Sequence, residues 1–292
     1  MPRPDPLWRG VDHWPPASVT FITSLPRRLC AAASGKALAR GQLPQRSLLG
    51  AGVLLVCAAA LAPVLGLAWF ALSGGGIESW GLGDEGPVQV RNTLALVLLV
   101  GALAAALGTG TGWLTARCDF PGRRWLRVAQ LLPLATPSYL LAATLIDLGS
   151  RFGQRIYGFN PTLAVMVLST YSYVFLLSTE SFSVSGKRQL EACRSLGVGP
   201  WGSFWRVALP MALPSIGAGV ALTGMEVVNE LGAVQLLGVP TLSSGILMRW
   251  QQEAVPQAAV ALALMALVIV GLLVGAERTL RRRSRCWTIS GG

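Results

Sequence analysis

The carboxylates that could do chemistry in this sequence are few, and two of them sit where a charge is costly. Glu226 and Glu230 lie with Asn229 inside a long apolar stretch, Pro214 to Leu237. The spacing i, i+3, i+4 places all three on one face of a helix. Glu226 falls about twelve residues into that stretch, near mid-bilayer on an unbroken helix, where a charged group has to face protein or water. Two readings stay open: the three residues line a polar path, or they form a hydrogen-bonded cluster that holds helices together. A carboxylate is a hard oxygen donor, but no His, Tyr or Asp cluster accompanies these two, so no metal site is expected. Gln235 and Arg249 follow towards the far end, and Asp147 ends another apolar stretch; all three read first as interfacial polar residues. The one histidine, His13, falls in a Pro-rich polar tail, and the five cysteines form no C-x-x-C pair. No G-x-x-x-x-G-K-[ST] run occurs. Catalytic residues are therefore expected to be none, and ATP hydrolysis is not expected of this chain.

The elements that must position these groups are membrane spans. Of 292 residues, 52% are hydrophobic and 13% charged, against roughly 25% charged in soluble domains. Apolar blocks run Leu48 to Leu72, Thr93 to Ala116, Leu126 to Leu148, Pro161 to Ser178, Pro214 to Leu237 and Gln257 to Ala276. Each is about long enough for a hydrocarbon core of roughly 30 Å. Pro133 and Pro137 loosen the third. The run Gly108-Thr109-Gly110-Thr111-Gly112 inside the second points to close helix packing. Trp69, Trp80, Trp113, Trp125, Trp201 and Trp205, near span ends, read as interface anchors.

The net charge of +11 is topological rather than a nucleic-acid signal. Arg27, Arg28, Lys36, Arg40 and Arg46 precede the first span. Arg117, Arg123, Arg124 and Arg127 join the second to the third, and Lys187, Arg188, Arg194 and Arg206 join the fourth to the fifth. Arg278, Arg281, Arg282, Arg283 and Arg285 close the chain. The alternate loops are poorer in cations, so both termini are expected in the cytoplasm. Residues 1–47 form a basic cytoplasmic tail expected to be disordered, residues 48–277 the six-helix transmembrane domain, and residues 278–292 a basic cytoplasmic tail.

The connection before the fifth span is more than a linker. Lys187 to Leu196 can form a short helix, stopped by Gly197 and Gly199-Pro200. A second amphipathic piece, Trp201 to Leu209, leads through Pro210 and Pro214 into the span. Glu191-Ala192-Cys193, three residues, Gly197, nine residues, then Val207-Ala208-Leu209-Pro210 resembles the EAA loop of ATP-binding cassette importer permeases. Cys193 replaces an Ala and Val207 an Ile, both mild departures. Asn92-Thr93-Leu94, Leu131 to Tyr139, Met225 to Gln235, Gly238-Val239-Pro240-Thr241 and Ser244-Gly245-Ile246 extend the likeness. From about Asn92 to Arg283 the chain resembles the first half of ferric-iron permeases.

The resemblance implies an all-α, polytopic membrane protein of six transmembrane helices with the type I importer permease (MetI-like) fold. It implies that Glu191, Ala192, Cys193, Gly197, Val207, Leu209 and Pro210, in a loop at about 187–210, couple the chain to a separate ATPase. The partners it implies are an ABC ATPase dimer carrying ATP and Mg, a second permease half, a periplasmic or extracellular substrate-binding protein and the lipid bilayer. No cofactor is expected on this chain itself. Ferric iron is the expected cargo; thiamine, polyamine, sulfate or another small solute is the alternative on the same machinery. A secondary transporter or channel titrating Glu226 and Glu230 is the alternative of another class. Members of that family usually carry two six-helix halves in one polypeptide, so a half-size subunit, a split permease and a truncated frame all remain open, an inactive half-permease included. The expected location is the bacterial inner membrane.

Overall fold

The computed structural model describes residues 43–73, 85–184, 193, 195, 197–251 and 256–288, and those residues are helical with no strand. The tail before residue 43 and the loop residues Lys187 to Ala192 lie outside the described residues. The chain divides into two units, residues 1–70 and 71–292. Helix α1, Leu43–Ser73, dominates the first. Its window Gly50–Phe70 has a mean hydropathy of 2.4, and 21 helical residues rise about 31 Å, one bilayer core.

The second unit is built on α2 (Gly86–Arg117), α3 (Arg123–Ala129), α4 (Leu132–Ala135), α5 (Ser138–Arg151) and α6 (Phe159–Val184). Then come α7 (Pro200–Ser203), a π-helical stretch Phe204–Ala208, α8 (Leu209–Asn229), α9 (Gly232–Leu236), α10 (Leu242–Gln251) and α11 (Pro256–Thr288). Five helices, counting Trp201–Asn229 as one, are long and apolar enough to cross a membrane. The bent pair Arg123–Ala135 with Ser138–Arg151 makes the sixth if it is one span.

Among lipids there is little hydrophobic drive to bring helices together, so small residues and hydrogen bonds do it. Of the Gly-rich run, Gly108 and Gly112 face α6, and Gly110 faces open space. A Cβ on Gly108 would lie 2.7 Å from the Phe175 backbone nitrogen; one on Gly219 of α8 would lie 2.7 Å from the Val174 Cα. Thus α2, α6 and α8 meet backbone to backbone. Ser178 Oγ donates to the Gly108 carbonyl at 3.1 Å, and Thr223 Oγ1 to that of Thr170 at 3.3 Å. Two apolar clusters fill the rest, one around Leu96, Val100, Met166, Val227 and Val234, the other around Ala104, Val174, Phe182, Phe204 and Ile216.

Three expectations change. The third span is not one loosened helix but breaks at Gln130 and Thr136, and its halves meet at 98°. Pro133 and Pro137 each lack an N–H, and Thr136, held extended at ψ 121° ahead of Pro137, cannot continue the helix. Leu134 N–H bonds the Leu131 carbonyl at 3.1 Å, which leaves the Gln130 carbonyl to Ser172 Oγ at 2.7 Å. Backbone freed at membrane depth is satisfied by a neighbouring helix.

The fifth span starts earlier, at Trp201, and stops at Asn229 rather than Leu237. A further helix, α10, stands in the connection to α11. Its start is a reciprocal cap: Thr241 N–H donates to Ser244 Oγ at 2.8 Å, and Ser244 N–H to Thr241 Oγ1 at 3.5 Å. Trp113 is not a lone interface anchor either. It is half-buried, its ring 5.2 Å from that of Phe182.

Candidate functional site

Two regions concentrate the residues singled out above. In the loop, Glu191 and Ala192 lie outside the described residues, while Cys193 and Ser195 are helical. Gly197 has φ +75°, and the Val198 N–H reaches back to the Cys193 carbonyl at 2.9 Å. That six-to-one bond around a left-handed residue is the Schellman closure of a helix C-terminus. Nothing lies within 4 Å of a Cβ built on Gly197, so glycine is needed there for its backbone conformation, not for space.

The Leu-Pro end of the loop has its own physical role. Pro210 cannot donate to the carbonyl four residues back, and its ring crowds that carbonyl. The helix responds by widening: Leu209 N–H bonds the carbonyl of Phe204, five residues back, and Phe204–Ala208 becomes a π stretch. Val207 is half-buried, Leu209 packs against the second apolar cluster, and Pro210 is exposed. Nearby, Arg123 donates to the Thr115 carbonyl at 2.7 Å and the Ala116 carbonyl at 3.3 Å, and pairs with Asp119. A cation there complements the C-terminal end of α2. Burial pushes the Cys118 thiol above its ordinary range, with Arg123 pulling the other way and Asp119 adding to the rise.

The second region is a cavity of about 460 Å³ at the proline bend. Thr136, Pro137 and Tyr139 wall one side, Ser169, Thr170 and Tyr173 of α6 a second, and Glu226 and Glu230 the third. Tyr173 OH donates to Glu226 Oε1 at 3.0 Å across α6 and α8. Glu230 does not share the helical face of Glu226 and Asn229, because the chain turns extended there, at ψ 125°. Its Oε1 accepts from the Ala233 N–H at 2.9 Å, and its carbonyl accepts from Ser243 Oγ at 2.5 Å. Of the two carboxylates, then, Glu230 is tied to the backbone that starts α9. Glu226 is presented to the cavity by a phenol that sequence reasoning missed.

Asn229 is exposed beside this cavity without lining it. Gln235 belongs to a different one, of about 250 Å³, with Glu85, Gln89 and Ser244. Arg249 is buried within α10. Asp147 pairs with Arg151 at 3.0 Å in an exposed i, i+4 contact, worth a few tenths of a kcal/mol at most. Among the described residues no group of three His, Cys, Asp or Glu side chains could hold a metal.

The comparisons agree with this architecture. The chain is 28% identical over 188 residues to the Fe(3+)-transport system permease protein FbpB 2 of Haemophilus influenzae, covering 64% of this chain and 36% of that protein. It thus spans little more than a third of that relative. It is 27% identical over 254 residues to the sulfate transport system permease protein CysT of Escherichia coli, covering 80% of this chain and 91% of that protein. A bacterial alginate ABC transporter, solved with an alginate-bound periplasmic protein, has the same fold at TM-score 0.60 and 14% identity, over 82% of this chain and 96% of that one. Residues 108–285 match the family model described as binding-protein-dependent transport system inner membrane component. With that match spanning the bent third span, the Schellman-closed loop and the acidic cavity, the chain belongs to the family of binding-protein-dependent transport system inner membrane components.

Proposed function

We propose that this chain is the permease subunit of an ATP-driven importer and that its cargo is ferric iron. The observation that supports the cargo is the lining of the larger cavity, where Glu226 and Glu230 are the charged residues and no cation accompanies them. Such a lining attracts a multivalent cation and repels sulfate. The similarity to the sulfate permease favours the other cargo, which makes the sign of the cavity charge the deciding property. The transported ion is substrate here, held in passing rather than at a resident metal site.

In this mechanism the chain hydrolyses nothing. A partner ATPase dimer binds ATP and Mg and closes. The loop at 187–210, which includes Glu191 and Gly197, carries that motion into the membrane. Two permease halves, identical or different, then rock between outward- and inward-facing states, and an external binding protein delivers cargo to the cavity. The protein lies in the bacterial inner membrane with both termini in the cytoplasm.

The cargo is tested by uptake of radioactive iron, supplied as ferric citrate, into cells expressing the chain with its ATPase and binding protein. Saturable, ATP-dependent uptake that excess sulfate leaves unchanged is expected. Accumulation of radioactive sulfate in place of iron would overturn the reading.

Orientation is tested on Cys118 in a background with the other cysteines changed to Ser. A membrane-impermeant maleimide should label it in inside-out vesicles and not in right-side-out ones. Because burial raises this thiol, less thiolate is present at any pH below its pKa. Labelling should therefore start slow and keep climbing, about tenfold per pH unit, past the range where an ordinary thiol levels off. Labelling from the outside would reverse the assigned topology.

A further inference from the structure

The loop re-enters the bundle through the π stretch, the only one among the described residues. Its first residue, Phe204, is 8% exposed, whereas Trp201 and Trp205 on either side are 72% and 62% exposed. The Phe204 ring lies 5.0 Å from that of Trp113 on α2 and 6.3 Å from that of Phe182 on α6. Trp113 and Phe182 themselves meet nearly perpendicular, at 82°. One side chain of the loop segment is thus gripped by rings from two other helices. Ala104, Val174, Ala208, Ala212 and Ile216 close the space around it.

A close-packed cluster of this kind shifts as a unit, because no void is left to absorb displacement of one member. Phe182 continues along α6 to Tyr173, nine residues and about 14 Å away, where the cavity begins. Trp113 continues along α2, which is packed backbone to backbone on α6 at Gly108. Pro210 keeps the segment from relaxing into a regular helix that would turn Phe204 elsewhere. Elements on both sides of the cluster are therefore stiff, and the three rings are the joint between them.

We propose that Trp113, Phe182 and Phe204 form a transmission socket. They are positioning residues through which movement of the 187–210 loop reaches α2 and α6, and through α6 the cavity. The proposal rests on the reading of that loop as the coupling element.

The test uses the full chain assembled with its ATPase, with native cysteines replaced by Ser and bimane attached at Thr136→Cys in the cavity wall. Vanadate trapping reports closure of the ATPases, and bimane fluorescence reports the membrane side, neither needing a known cargo. In the parent protein, trapping with Mg-ATP and vanadate should shift the fluorescence. Trp113→Ala and Phe204→Leu should trap normally yet show a shift about fivefold smaller or less, and Trp113→Phe should restore it. A role in stability alone would lower the melting temperature and leave the shift intact, which overturns the socket. Phe204→Leu keeps the apolar volume, so the test survives if Trp113→Ala fails to fold. Gly197→Val forces a β-branched residue to φ +75° and serves as the loop control. If it silences the probe while the socket variants do not, the socket alone fails. If it leaves trapping and shift at parental levels, the coupling reading fails and the socket with it.

Discussion

Glu226→Gln should cut iron uptake by about tenfold or more while the chain still inserts, assembles and melts as the parent does. Glutamine keeps the shape, and its amide oxygen can still accept the Tyr173 hydroxyl that now lies 3.0 Å from Oε1. What changes is the cavity's charge, halved at one stroke. A unit charge at about 4 Å is worth about 4 kcal/mol at an effective dielectric near 20, and a tenfold loss needs only about 1.4 kcal/mol. The same substitution gives opposite signs for the competing cargoes. A sulfate permease should gain uptake when a repelling carboxylate is removed. Uptake of iron at the parental rate, or sulfate uptake that rises, would sink the cation reading.

Glu230 is the control that separates charge from structure. Glu230→Ala removes the acceptor of the Ala233 N–H, and a backbone donor left without a partner costs about 1–3 kcal/mol. That variant should show a lowered melting temperature together with lowered uptake. Glu226→Gln should show the second effect without the first. The contrast follows from where each carboxylate is tied, one to a phenol across the cavity and one to the backbone of its own chain.

That division was not legible in the sequence. The i, i+3, i+4 spacing presumes a helix that continues, and the chain ends its helix at Asn229. Glu230 supplies part of the reason itself by capping the segment that follows. Tyr173 is 53 residues from Glu226, and nothing in the apolar run around it marks it as a partner. Tertiary placement alone makes the pair.

The loop was far more readable because its chemistry is local. Gly197 ends a helix by a conformation that depends on residues within six positions, and Pro210 widens a turn by the donor it lacks. The proline pair in the third span announced a weakness. Its 98° bend depended on Ser172 being present to accept the orphaned Gln130 carbonyl as partner. Helix α10 escaped notice because Arg249 and Trp250 interrupt its apolar pattern, although Thr241-x-x-Ser244 was a visible start signal.

Gly108→Leu should abolish the folded bundle, and Gly110→Leu, two residues away, should not. A Cβ on Gly108 would stand 2.7 Å from the Val174 Cβ and the Phe175 nitrogen and 2.9 Å from the Tyr171 carbonyl oxygen. Two of those atoms are backbone and cannot rotate away. Val174 is also held from the other side by Gly219, so α6 cannot retreat without separating from α8. Overpacking by even a methyl costs about 1–3 kcal/mol in a filled core, and here it also pulls Ser178 off the Gly108 carbonyl. Such an interhelical bond is worth about 0.6 kcal/mol in a membrane. Gly108→Ala should therefore melt measurably lower, and Gly108→Leu should elute as aggregate in size-exclusion chromatography of detergent extracts. Gly110 has open space where its Cβ would be, and leucine there only adds apolar surface on the outside of α2. Equal elution and melting of the two leucine variants would mean that α2, α6 and α8 do not meet at these glycines. The route from the aromatic socket to the cavity would then lose its stiff connection.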